Sequence, residues 1–264
     1  MVFALKLVLA PAFVLTTSLV ARRFGVSVAG IVGGLPGIAA PILLVVAVQH
    51  GRAFGAQAAS GTLLGSVALV GFLVAYGGTS RRAAWPAALA IAFASFFALV
   101  AALRPLHVAA LTALALAVLA IAAALVVLPR AGAARSDEAG YPRSDLPLRA
   151  LAAAVPVVVL TGSAKALGPH LTGLLSAFPI LTPVLAAFTH AQRGAEEAVA
   201  FLRGMTSGLF AYALFCFLVA LLLEPLGIAP TFVLATAAAV GLQAVLVAGR
   251  RYARRSASQA SESG

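Results

Sequence analysis

Apolar residues run through this chain in long unbroken blocks, not at the three-to-four-residue spacing of a helix with one wet face. Crossing a hydrocarbon core takes about 17 to 25 such residues. Blocks of that length lie at 3–21, 26–48, 56–77, 84–103, 106–128, 147–164, 169–190, 199–222 and 227–249. The nearly uncharged stretch 84–129 would be about 69 Å long as one helix, so it must fold back at Arg104-Pro105 within "LRPLH". The pattern predicts an all-α, polytopic membrane protein with about nine transmembrane helices.

Two blocks carry helix breakers at their centres. "GIVGGLPGIAAP", Gly30 to Pro41, interrupts the second span, and "GLLSAFPILTP", Gly173 to Pro183, the seventh. Pro179 lacks an N–H and so frees the carbonyl of Leu175, and Pro183 does the same to that of Pro179. Ser176 and Thr182 are expected to satisfy these carbonyls in part. Irregular backbone at membrane depth must be buried in protein or line a cavity. Gly33, Gly34, Pro36, Ser176, Phe178, Pro179, Thr182 and Pro183 are therefore the candidate substrate-binding residues, with a packing kink as the structural alternative.

The two interrupted spans belong to a longer correspondence. Shifting residues 22–77 by 143 positions lays all five glycines of 165–220 on glycines: Gly168, Gly173, Gly194, Gly204 and Gly208 on Gly25, Gly30, Gly51, Gly61 and Gly65. By chance this happens roughly a few times in ten thousand, before allowing for choice of register. Pro179 falls on Pro36, Gln192 on Gln49 and Lys165 on Arg22. The first four spans thus match the last four and leave the fifth as a connector. Five crossings separate the two copies, so they are expected to insert in opposite orientations, as in many secondary transporters. The chain divides into a first membrane repeat at 1–105, a connecting helix and cytoplasmic linker at 106–146, a second repeat at 147–250, and a disordered basic, Ser-rich tail at 251–264.

Composition and charge fix the surroundings. Hydrophobic residues make up 62% and charged ones 9% of the 264, too few polar side chains to clothe a water-facing surface. The net charge of +11 is spread over short loops, which excludes a nucleic-acid surface and fits contact with anionic membrane lipids. With the N-terminus outside and the C-terminus cytoplasmic, fourteen of the eighteen Lys and Arg fall inside, as the positive-inside rule requires. The first block, followed by Arg22-Arg23 and belonging to the repeat, reads as a span and not as a cleaved leader.

Candidate chemistry is sparse. All seven acids fall in loops, span ends or the tail, which argues against carboxylate-based ion coupling. No metal-ligand spacing, catalytic triad or phosphate loop is present, so neither an enzyme nor a cofactor is expected, and the single Cys216 excludes an intrachain disulfide. His107 and His170 sit at span ends and read as interfacial. Arg22, Lys165, His190 and Arg193 are candidates for a gate or charge relay.

The second copy reads Lys165, then Gly173-Leu174, Phe178-Pro179 and Arg193-Gly194, a K-x7-GL-x3-FP-x13-RG pattern. It resembles the GlpM-like small bacterial inner-membrane proteins, a family about one repeat long, over residues 150–250 and more weakly over 5–105. The first copy departs from the pattern at Arg22, Leu35 and His50. The resemblance implies a four-span unit, here a fused pair, in a bacterial inner membrane, and supplies no mechanism. The expected function is transporter-like movement of a small solute or lipid-linked molecule between the second and seventh spans. The alternative is a non-transporting scaffold or accessory subunit for envelope assembly.

Overall fold

The computed structural model describes residues 15–37, 39–130, 168–179 and 181–262, and among these every regular element is helical. Ten helices follow in order: α1 (15–24), α2 (Val26–Gly33), α3 (Ala39–His50), α4 (Arg52–Thr79), α5 (Trp85–Leu103), α6 (Ala110–Val127), α7 (168–176), α8 (Leu181–Arg193), α9 (Ala195–Leu226) and α10 (Ile228–Glu262). Six helical stretches of the described chain are long and apolar enough to cross a membrane, and α3 is a shorter apolar helix. The chain is a polytopic membrane protein. Most of the first expected span, the sixth, Lys165 and the linker from 131 lie outside the described residues.

The expected interruptions are real breaks. The second block is two helices, α2 and α3, and the seventh is two, α7 and α8. The expected turn at Arg104-Pro105 separates α5 from α6. The tail differs from expectation, because α10 stays helical to Glu262. Its Ala, Arg, Gln and Ser tolerate helix, and no Gly or Pro follows Gly249 until residue 264, so the helix started in the membrane propagates.

The breaks and boundaries fall at equivalent places. Gly25 precedes α2 and Gly168, 143 positions on, opens α7, with φ of 88° and 72°. Gly51 and Gly194 precede α4 and α9 with φ of 91° and 89°. These left-handed values admit glycine and strain other residues, which accounts for glycine at all four positions.

α4 and α9 form the centre. In α4, 72% of the apolar window is buried against protein, compared with 22% for α5 and α6 and 17% for α10. The outer helices turn Ile91, Phe97, Leu111, Leu119, Val126, Val233 and Val245 outward, apolar side chains that suit lipid and would be a fault in water. Gly55 lies against Leu223 and Gly77 against Leu202, so α4 and α9 run antiparallel. Phe72 and Phe215, again 143 apart and fully buried, meet Phe93 of α5 and Phe232 of α10 edge-on, at 67° and 69°.

Two glycine seams join these centres to the broken helices. At the first, α2 lies on α9: a Cβ on Gly30 would strike the carbonyl oxygen of Phe201, and one on Gly208 would come within 2.6 Å of that of Ile31. At the second, α7 lies on α4: a Cβ on Gly173 would strike the carbonyl of Ala58, and one on Gly65 would come within 2.5 Å of that of Leu174. Each contact maps on the other by the 143-residue shift. Small residues let the backbones touch, and lipid offers no hydrophobic force to hold larger ones. Gly30 meets Gly204 and Gly34 meets Gly208, so α2 is parallel to α9; Gly173 meets Gly61, so α7 follows α4. α2 and α7 therefore run in opposite directions.

Polar contacts gather at two ends. Arg52 donates to the Glu224 carbonyl at 3.1 Å, and His170 Nε2 lies 3.2 Å from the Arg104 carbonyl. At the other end Arg81 holds both Glu196 oxygens, at 2.7 and 2.9 Å, and donates to the Arg130 carbonyl. The hydrogen bond to Glu196 raises the Arg81 pKa above its usual value. Arg203 donates to the Leu128 carbonyl at 2.6 Å and so caps the C-terminus of α6.

Candidate functional site

The two breaks meet at a cavity of about 40 Å³. Gly33, Leu35 and Ala39 line it from the α2–α3 break, Ser176, Ala177, Phe178, Pro179, Leu181 and Thr182 from the α7–α8 break. α4 contributes Leu69, and α9 contributes Met205, Leu209 and Tyr212. Eight of the thirteen lining residues form equivalent pairs under the 143-residue shift: Gly33 with Ser176, Leu35 with Phe178, Ala39 with Thr182, and Leu69 with Tyr212. In these pairs the hydroxyls stand only on second members, Ser176, Thr182 and Tyr212.

Five of the eight candidate binding residues line this cavity: Gly33, Ser176, Phe178, Pro179 and Thr182. The others do not. Gly34 faces the Gly208 backbone, with Cβ room of 2.6 Å. Pro36 offers its carbonyl to the Ala40 N–H at 2.8 Å, and Pro183 sits in the first turn of α8, where its missing N–H costs little. Leu35, Ala39, Leu69 and Tyr212 were not among the sequence candidates. The repeat register held the signal for two of them, because it places Leu35 opposite Phe178 and Ala39 opposite Thr182.

The local hydrogen bonding also departs from expectation. The Leu175 carbonyl is taken by the Phe178 N–H at 2.9 Å, since the chain tightens into a turn before Pro179. Ser176 donates to the Thr172 carbonyl at 2.7 Å, and Thr182 to Met205 Sδ at 3.0 Å. Neither of these hydrogen bonds serves a carbonyl freed by proline. The Phe178 ring completes an aromatic cluster with Phe93, Phe96 and Phe97 of α5, at centroid distances of 5.7, 5.5 and 6.0 Å. This ties the break to the outer helix.

None of the gate candidates among the described residues lines the cavity. His190 lies 3.3 Å from the Tyr76 hydroxyl at the end that carries Arg81, and Arg193 ends α8 at the same end. Arg22 stands half-buried on α1, and Lys165 lies outside the described residues.

A larger recess of about 420 Å³ opens near the opposite end. Gln57, Ser60, Gly61 and Leu64 of α4 line it, together with the 106–110 segment and His170. His107 and His170 stack there with ring centroids 4.3 Å apart, which the reading of two separate interfacial histidines missed. The two are 63 positions apart in sequence, and only the fold joins them. On α4 the recess reaches Leu64 and the cavity begins at Leu69, a rise of about 7.5 Å. The Gly61–Gly173 and Gly65–Leu174 contacts lie between the two spaces.

Among the described residues no cluster of three potential metal ligands occurs. Comparison with protein-family models, with curated proteins and with solved structures gives no match for this chain.

Proposed function

We propose that this chain is a transporter-like protein of a bacterial inner membrane that moves a small solute through the cavity between the α2–α3 and α7–α8 breaks. The reading takes the fold as two inverted four-helix repeats joined by α6, with the N-terminus outside and the C-terminus cytoplasmic. Its likeness to the GlpM-like proteins and a non-enzymatic role belong to the same proposal. One observation carries it: a cavity is lined by equivalent residues of both breaks, where transporters built from inverted repeats bind their substrates. The antiparallel course of α4 and α9 and the grouping of loop contacts at two ends support the inverted layout.

The recess at His107 and His170 serves as the outer mouth. At the equivalent place on the other seam, Ser60 is replaced by Arg203, whose guanidinium reaches the Leu128 and Pro129 carbonyls across that position. One mouth is thus open and the other occupied. The small cavity favours a small solute over a lipid-linked molecule.

The test is flux into vesicles holding purified protein, with Ala39→Phe as the plugged variant. Ala39 is buried at the cavity wall, so the added ring fills the space. Faster solute entry than in empty vesicles, abolished by Ala39→Phe in protein that still unfolds cooperatively, supports transport. If no solute or ion of a broad panel moves faster than in empty vesicles, transport fails and the membrane scaffold takes its place.

A further inference from the structure

We infer that the central cavity selects a small neutral molecule that donates hydrogen bonds, of about the size of urea, a short amide or a small polyol. The inference rests on the transport reading above and specifies its substrate. Size comes first. At about 10–15 Å³ per water, 40 Å³ holds roughly three waters, or about three or four non-hydrogen atoms.

Charge comes second. Among the described lining residues no ionisable carboxylate, ammonium, guanidinium or imidazole stands, so an ion bound among them would lose its hydration without a counter-charge from them. Hydrogen-bonding polarity comes third. Ser176 and Thr182 give their protons to Thr172 and Met205, so what they can offer a guest is oxygen lone pairs. Tyr212 brings a third hydroxyl to the lining.

The breaks themselves are poor in donors. Gly34, Leu35, Gly37, Ala40 and Phe178 all spend their N–H groups on carbonyls of their own segments. Pro36 and Pro179 have none, and Pro183 removes one more from the first turn of α8. Prolines that open a helix would ordinarily expose N–H groups to an anion at the next helix start. At the start of α8 Pro183 removes one of those donors. Hydroxyl acceptors among the apolar lining of Gly33, Ala39 and Leu69 suit a small molecule that brings its own N–H or O–H groups.

Vesicles of phosphatidylethanolamine and phosphatidylglycerol carrying the full chain supply the test. Urea, formamide and ethylene glycol entry is followed by stopped-flow light scattering, and chloride, potassium and ammonium conductance is measured on the same preparation. The expected result is neutral-solute entry well above empty vesicles and no ion conductance. Thr182→Val and Ser176→Ala should each slow entry about fivefold, the factor for one neutral hydrogen bond, and Thr182→Ser should restore it. Ion conductance without neutral entry overturns the substrate class and leaves transport standing. Neutral entry unchanged in both hydroxyl variants also overturns it. If neither solutes nor ions move, the transport reading falls, and this inference with it.

Discussion

A Cβ on Gly34 would lie 2.6 Å from the Cα of Gly208, so the backbones of the α2–α3 break and α9 touch with no side chain between them. The same closeness holds where Gly173 meets Gly61 on the other seam. Gly30→Ala and Gly173→Ala each force a methyl into a carbonyl and are expected to cost about 1–3 kcal/mol, lowering the unfolding temperature in detergent. Gly241→Ala, which meets nothing within 4 Å on α10, should stabilise by about 0.5–1 kcal/mol in the same scan.

Gly51 and Gly194 test the backbone alone. Nothing lies within 4 Å of a Cβ at either, so only their left-handed conformations oppose a side chain. Gly51→Ala and Gly194→Ala should each cost about 1–2 kcal/mol, and by similar amounts, in chemical or thermal unfolding.

Phe178 and its counterpart Leu35 occupy equivalent places but unequal surroundings. Phe178 packs on three rings of α5, while Leu35 brings no ring to its own break. Phe178→Ala is expected to destabilise by about 2–4 kcal/mol and Leu35→Ala by less, measured side by side.

Arg203 caps α6 through the Leu128 carbonyl. Arg203→Met keeps the aliphatic stem and removes the guanidinium, leaving that helix end without its donor. Hydrogen exchange at the amides of 124–128 should then quicken by about tenfold, as expected for loss of a charge-assisted hydrogen bond.

Orientation is read by cysteine labelling. Cys216 is fully buried, so the natural chain should resist a membrane-impermeant maleimide. In a Cys216→Ala background, Arg52→Cys should label in intact cells and Arg82→Cys only after lysis. The reverse pattern would turn the proposed topology over.

Much of the frame was legible because lipid imposes simple rules. Block length gave the helix between Trp85 and Leu103 and its turn at Arg104, and the breakers at Pro36 and Pro179 marked both breaks. Glycines were informative because backbone contact and positive φ admit little else. The site was legible only in part. Thr182 and Ser176 stood inside the breaker motifs, while Tyr212 and Leu69 lie on helices with no local signal and reach the cavity through packing. The His107–His170 stack depends on how the α5–α6 turn meets α7, which no periodicity encodes.

The duplicated seams carry a thermodynamic consequence. Both seams already sit at backbone contact, so neither can slide without giving up its close glycine approach. Arg203 fastens one end of α6, and the 106–110 segment at its other end lines the recess. Under the proposed transport, α6 is the ballast of the molecule: what holds its two ends weights which face of the membrane the cavity meets at rest.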